Sequence, residues 1–134
     1  MIFGIGTDIV RIPRMADNLA RYGERFAARI LTEAEMAVFR DSLHPAKQAQ
    51  FLAKRFAAKE ATAKALGTGF RDGLSLRDIG VNNDVLGKPV LIFSERAKQI
   101  LRNEGIGGFH LSLSDESEYA IAYVVLERIN SEKR

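Results

Sequence analysis

The sequence has no cysteine among its 134 residues, so disulfides, thiolate metal sites and thiol nucleophiles are excluded together, and the chain fits a reducing compartment. It also lacks a long hydrophobic run. The longest, Tyr119 to Leu126, is far too short to span a bilayer, and the N-terminus opens on a strand-like segment without the basic region of a leader. There is no internal repeat, low-complexity tract or linker. These absences set the expectation of a soluble, cytoplasmic protein in which residues 1–130 form one domain and Ser131 to Arg134 a C-terminal tail. At 46% hydrophobic and 28% charged, a domain of this size has the material for a real core.

Charge is balanced along most of the chain and lopsided in one place. Arg11, Arg14, Arg21, Arg25 and Arg29 stand against Asp17 and Glu24, a local excess of three that equals the net +3 of the whole chain. A basic helical patch on a neutral body implies an acidic partner, which could be nucleic acid, an anionic membrane or an acidic protein.

Hydrophobic patterning predicts an α+β fold. Ile2 to Val10 alternates as a strand, with Gly4, Gly6 and Asp8 on one face. Glycine inside a strand marks a close approach by a ligand or another backbone, and aspartate is depleted in strands. Pro13 to Arg21 and Glu24 to Leu31 read as short helices separated by Gly23, and Thr32-Glu33-Ala34-Glu35 has capping-box spacing for a third that reaches Ser42. Lys47 to Leu66 reads as one long helix stopped by Gly67. Its apolar stripe of Leu52, Phe56, Ala63 and Leu66 includes Lys59, a cation where an apolar residue belongs, with Glu60 at the stripe's edge and Arg55 one turn earlier. Gly67-Thr68-Gly69 supplies a loop with free backbone N–H groups, although it lacks the rest of a phosphate-binding fingerprint.

Downstream, Asp78 to Asn83 and Val90 to Phe93 pair as a hairpin across the turn Leu86-Gly87-Lys88-Pro89, and Ser94 caps a helix from Glu95 to Glu104. Phe109, Leu111 and Leu113 alternate with His110, Ser112 and Ser114 in a strand that has one apolar and one polar face. Tyr119 to Leu126 returns as a strand apolar on both faces, hence central. The polar row could bind phosphate or simply face solvent.

Three blocks, taken in order and spacing, resemble the bacterial holo-acyl-carrier-protein synthases, the small 4′-phosphopantetheinyl transferases. They are Gly4-Ile5-Gly6-Thr7-Asp8-Ile9-Val10, then Arg55-Phe56-Ala57-Ala58-Lys59-Glu60-Ala61 with Lys64 and Gly67-Thr68-Gly69, then His110-Leu111-Ser112-Leu113. The resemblance spans Phe3 to Arg128 and implies a sheet, antiparallel or mixed, packed against one long helix and several short ones. It implies transfer of the 4′-phosphopantetheine arm of coenzyme A to a serine of apo acyl carrier protein, with release of adenosine 3′,5′-bisphosphate, in support of fatty acid biosynthesis. Magnesium would be held by Asp8 and Glu60, which with Lys64 form the catalytic set. Coenzyme A would be contacted by Arg55, Lys59, Lys64, Gly67, Thr68, Gly69, Pro89, His110 and Ser112.

The resemblance further implies that acyl carrier protein docks on the first helical region, through Arg14, Arg21, Arg25 and Arg29 with Met15 and Phe26 as apolar anchors. It implies a homotrimer with active sites between subunits, which the glycine-bearing face of the first strand would suit, and neither nucleic acid nor membrane as a partner. Ser114-Asp115-Glu116 stands where many relatives carry a second histidine, so no role is transferred to that position, and Asp115 is expected to face away from the phosphates. The competing readings are a small basic nucleic-acid-binding module, which would want stacking aromatics where only Tyr22 and Phe26 stand, and a magnesium-dependent phosphodiesterase, which would want more acidic ligands.

Overall fold

Strand β1 (Ile2–Arg11) sets the geometry of the molecule through what its inner face leaves out. The computed structural model describes residues 1–41, 44–71 and 73–129. In it the long helix α4 (Pro45–Leu66) lies so close to β1 that a Cβ on Gly4 would fall 1.9 Å from the Ala65 carbonyl oxygen, and one on Gly6 1.9 Å from that of Ala61. The close approach that the glycines signal is therefore a helix backbone from the same chain, not a ligand or a second subunit. Ala57, Ala61 and Ala65, all buried, give α4 the small surface this approach needs.

Between them run α1 (Ile12–Tyr22), α2 (Glu24–Ile30) and α3 (Glu33–Asp41). Gly23 separates the first two at φ +67°, and Thr32 and Glu35 complete the capping box: the Thr32 N–H donates to Glu35 Oε1 (2.9 Å) and the Glu35 N–H to Thr32 Oγ1 (3.2 Å). The expected extension of α3 to Ser42 lies outside the described residues, as does the tail. A single 3₁₀ turn, Leu76–Asp78, which the sequence pattern does not announce, leads into β2 (Ile79–Asn83) and β3 (Pro89–Phe93). Helix α5 (Glu95–Asn103), capped by Ser94, precedes β4 (Ile106–Asp115) and β5 (Tyr119–Arg128).

Two antiparallel sheets result, so the mixed alternative falls away: a three-stranded sheet ordered β1-β5-β4 and the separate β2-β3 hairpin. β5 is central as its composition predicts, but only Ala120, Ala122, Val124 and Leu126 are buried, against α4. Its other face carries Ile121 (41% exposed) and Tyr123 (48%) beside Ile5 (52%) and Ile9 (60%) of β1. One side of the sheet is thus a packed core and the other an uncovered apolar surface.

Candidate active site

Asp8 is the first inner-facing position of β1 after the two glycines to carry a side chain, so its carboxylate emerges where the strand leaves the flank of α4. Lys64, on the last turn of α4, reaches across: its Nζ donates to Asp8 Oδ1 (2.9 Å) and to the Thr7 carbonyl (3.1 Å). One helical turn earlier Glu60 opens onto the same cleft, a hollow of about 600 Å³ whose walls include Phe56 and Leu76. Burial pushes the Glu60 carboxyl above its ordinary range, and repulsion by Asp8 pushes it further, while Lys64 pulls it back. Asp8 and Glu60 thus repel one another across the cleft, with the Lys64 ammonium on Asp8. Among the described residues no group of three or more His, Asp or Glu could hold a metal. The hard oxygen pair of Asp8 and Glu60 suits magnesium, which takes one or two carboxylates and completes its shell with water and phosphate.

The basic patch borders this cleft. Arg14 and Arg29 line it, together with Phe26. Arg21 and Arg25 line an adjoining depression that shares Phe26 and Arg29, and Arg21 lies over the ring of the exposed Tyr22. Met15 is 5% exposed and belongs to the core, so it forms the floor of the cleft and offers no protruding anchor.

Other expected contacts lie elsewhere. His110 and Ser112 point to the outer face of the three-stranded sheet, opposite Val125 and Tyr123, whereas Asp8 and α4 lie on the inner face. His110 Nε2 is 2.7 Å from Glu127 Oε1, a bond that holds the Glu127 carboxyl below its usual range. Arg55 stacks on Phe51 (4.3 Å to the ring centre) and lines a different cleft of about 440 Å³, beside Glu35 and Ile92. Pro89 begins β3, in the other sheet. Asp115 turns to the first half of α4, where Gln50 donates to it and Lys54 Nζ lies 3.4 Å away.

Two expectations need correction. Lys59 is 0% exposed, and its ammonium donates to Glu35 Oε1 (2.7 Å), the Ile79 carbonyl (2.6 Å) and the Leu76 carbonyl (3.2 Å). All three protons are committed, so none remains for a phosphate of coenzyme A. Two of the three loop amides are not free either: the Gly67 N–H caps α4 at Ala63 and Lys64, and the Gly69 N–H also reaches the Ala63 carbonyl.

The residue that sequence reasoning underrated is Glu35. Its capping spacing is visible, but its carboxylate also accepts from Lys59 and, through Oε2, from the Val81 N–H (2.7 Å), contacts 24 and 46 residues away that no local pattern signals.

Residues 4–124 match the 4′-phosphopantetheinyl transferase superfamily. The chain is 52% identical over 128 residues to the holo-acyl-carrier-protein synthase of Nitrosospira multiformis, an alignment that covers 96% of this chain and 100% of that one. Its structure is similar to the crystal structure of a holo-acyl-carrier-protein synthase from Neisseria meningitidis, with TM-score 0.89, 45% identity and coverage of 96% and 100%. It is also similar to one from Bacillus anthracis in complex with CoA (3′,5′-ADP), with TM-score 0.81, 43% identity and coverage of 96% and 99%.

Proposed function

The chain belongs to the 4′-phosphopantetheinyl transferase superfamily, among the holo-acyl-carrier-protein synthases, and from that premise we propose that it moves the phosphopantetheine arm of coenzyme A onto a serine of apo acyl carrier protein. The reaction would depend on magnesium, release adenosine 3′,5′-bisphosphate and serve fatty acid biosynthesis in the cytoplasm. The observation that carries this reading is the cleft in which Asp8, Glu60 and three arginines of the basic patch, Arg11, Arg14 and Arg29, meet.

The serine oxygen attacks the phosphorus on the pantetheine side of the pyrophosphate, forming one P–O bond as the bond to the nucleotide phosphate breaks. Charge builds on the phosphoryl and leaving oxygens, so positioning and electrostatics dominate. Magnesium, held by Asp8 and Glu60, would supply Lewis-acid polarisation of those oxygens. Lys64 Nζ, now on Asp8 and half-exposed, would turn toward the leaving phosphate. Glu60, whose carboxyl burial holds above its ordinary range, is placed to take up the serine proton by way of a water.

Arg14, Arg21, Arg25 and Arg29 would receive the acidic carrier protein, with Phe26 between them, so that its serine enters from the side where Asp8 and Glu60 lie. The outer sheet face, with Ile5, Ile9, Ile121 and Tyr123 uncovered, supports a homotrimer. Packing of copies there would also let His110 and Ser112, which share that face, serve the site of a second copy, and Arg55, Thr68 and Pro89 complete the proposed coenzyme contacts. The nucleic-acid alternative is not favoured: of the two candidate stacking aromatics only Tyr22 is exposed, and Phe26 is half-buried against the core.

Mass spectrometry of an apo carrier protein incubated with this protein, coenzyme A and magnesium tests the reading. Addition of one phosphopantetheine to the carrier is expected, and an unmodified carrier would overturn it.

A further inference from the structure

Lys59 and Glu60 are neighbours on α4, and they point to different parts of the molecule. Glu60 opens on the cleft, while the ammonium of Lys59 is buried beneath the 3₁₀ turn Leu76–Asp78. A buried lysine is a poor packing choice. An apolar side chain of similar volume would fill the space without the desolvation of an ion pair, and such replacements are often neutral or stabilising. What an apolar side chain cannot do is hold specified atoms of several elements at hydrogen-bond distance from one point.

Lys59 does this. It fixes the carbonyls of Leu76 and Ile79 while Glu35, itself 3% exposed, anchors Lys59 to α3 and reaches on to the Val81 N–H of β2. The Leu76 side chain forms part of the wall of the cleft that Asp8 and Glu60 share. The same ammonium therefore ties that wall to the helix that carries Glu60.

We propose that Lys59 and Glu35 form a positioning unit for the transfer reaction, holding Leu76 as the wall against which the carrier protein's serine is delivered to Glu60. This rests on the transferase reading of the Asp8–Glu60 cleft. Lys59 touches no substrate and acts through Leu76 and through the rotation of α4. A displacement of order an ångström in such a wall is enough to slow a transfer step substantially.

The proposal is tested by measuring thermal unfolding and initial rates, with coenzyme A, magnesium and an apo carrier protein, for wild type, Lys59→Met, Leu76→Ala and the double variant, all well below the lowest melting temperature. Lys59→Met leaves Glu35 with the Thr32 and Val81 N–H donors and with Arg55 Nε 3.9 Å from Oε2, so a loss of stability is expected alongside the loss of rate and is read separately from the melting curve. Each single variant is expected to lose about tenfold in kcat/KM for the carrier protein, with the KM for coenzyme A changed by less than about twofold. The double variant is expected to be no more than about twofold worse than the poorer single one, because both act on one wall.

A Lys59→Met protein that melts earlier but turns over at the wild-type rate overturns the proposal, as do losses that multiply in the double variant. If Lys59→Met does not fold, Lys59→Gln, which keeps a donor in the site, carries the same expectations. A wild-type protein that transfers nothing overturns the transferase reading and this inference with it.

Discussion

Helix α4 carries a lysine–carboxylate pair on each of two sides, and the pairs differ in almost every physical respect. Toward the hairpin, Lys59 and Glu35 are 0% and 3% exposed, saturated with hydrogen bonds and tied to three other elements. Toward β1, Lys64 is 54% and Asp8 15% exposed, with Glu60 beside them held above its ordinary pKa by burial and by Asp8. In the first arrangement the ammonium protons all have acceptors, and in the second two carboxylates repel each other. A lysine committed to three acceptors cannot serve a ligand, whereas carboxylates that repel each other at the mouth of a cleft gain from a bound cation. The contrast leaves the cleft side of the helix able to meet a ligand and gives the hairpin side the holding of the cleft wall.

The contrast would break most plainly at the carboxylates. Asp8→Ala and Glu60→Ala are each expected to reduce turnover by about 10³-fold or more, as loss of transition-state electrostatics does, while the melting temperature stays near wild type. A variant that unfolds instead would show that the cleft side also supports the fold. On the other side, Glu35→Ala should cost about 3–5 kcal/mol by urea denaturation, since it strands a buried ammonium. A loss under about 1 kcal/mol would put that pair in the class of surface bridges.

Reversing Arg14 and Arg21 to Glu sharpens the chemical side. The KM for the carrier protein is expected to rise about tenfold and that for coenzyme A to hold, and added salt should weaken the wild-type protein toward the variant. Equal effects on both substrates would move the docking surface elsewhere.

The smallest effect belongs to the hairpin side. Burial raises the Asp78 carboxyl, but hydrogen bonds from Arg96, Ser94 and Ser75 outweigh it, so its folded-state pKa lies below the ordinary value. A depressed carboxyl contributes stability above its unfolded pKa and loses it as pH falls through the folded one. Asp78→Asn should therefore lower the neutral plateau, where the bonds from Arg96, Ser94 and Ser75 act on the ionised carboxylate, and so flatten the acid limb of a stability–pH curve. An unchanged acid limb would refute that account.

Much of the fold is legible in the residues because the patterns that specify it are local. Period-two alternation marks β1 and β4, Ser94 and Gly67 bound their helices, and the apolar run of β5 makes it central. The pairing of a G-x-D strand with an F-x-x-K-E-x-x-x-K helix makes the family legible as well, and it picks out Asp8, Glu60 and Lys64, which the structure brings together.

Which acceptor each cation of α4 takes is not written locally. Lys59 and Lys64 are five residues apart on one helix, and the family resemblance offers both as coenzyme contacts. Their fates follow from what stands opposite: a carboxylate from α3 and two carbonyls in one case, and the end of a glycine-faced strand in the other. The same holds for His110 and Ser112, whose polar row the sequence shows but whose placement on the outer face depends on β5 pairing with both neighbours. By itself, then, the sequence determined the strands and α-helices, their order and the family. Tertiary structure alone decided which charges are buried and spent and which are left for a ligand, because burial and ion pairing depend on residues far apart in the chain.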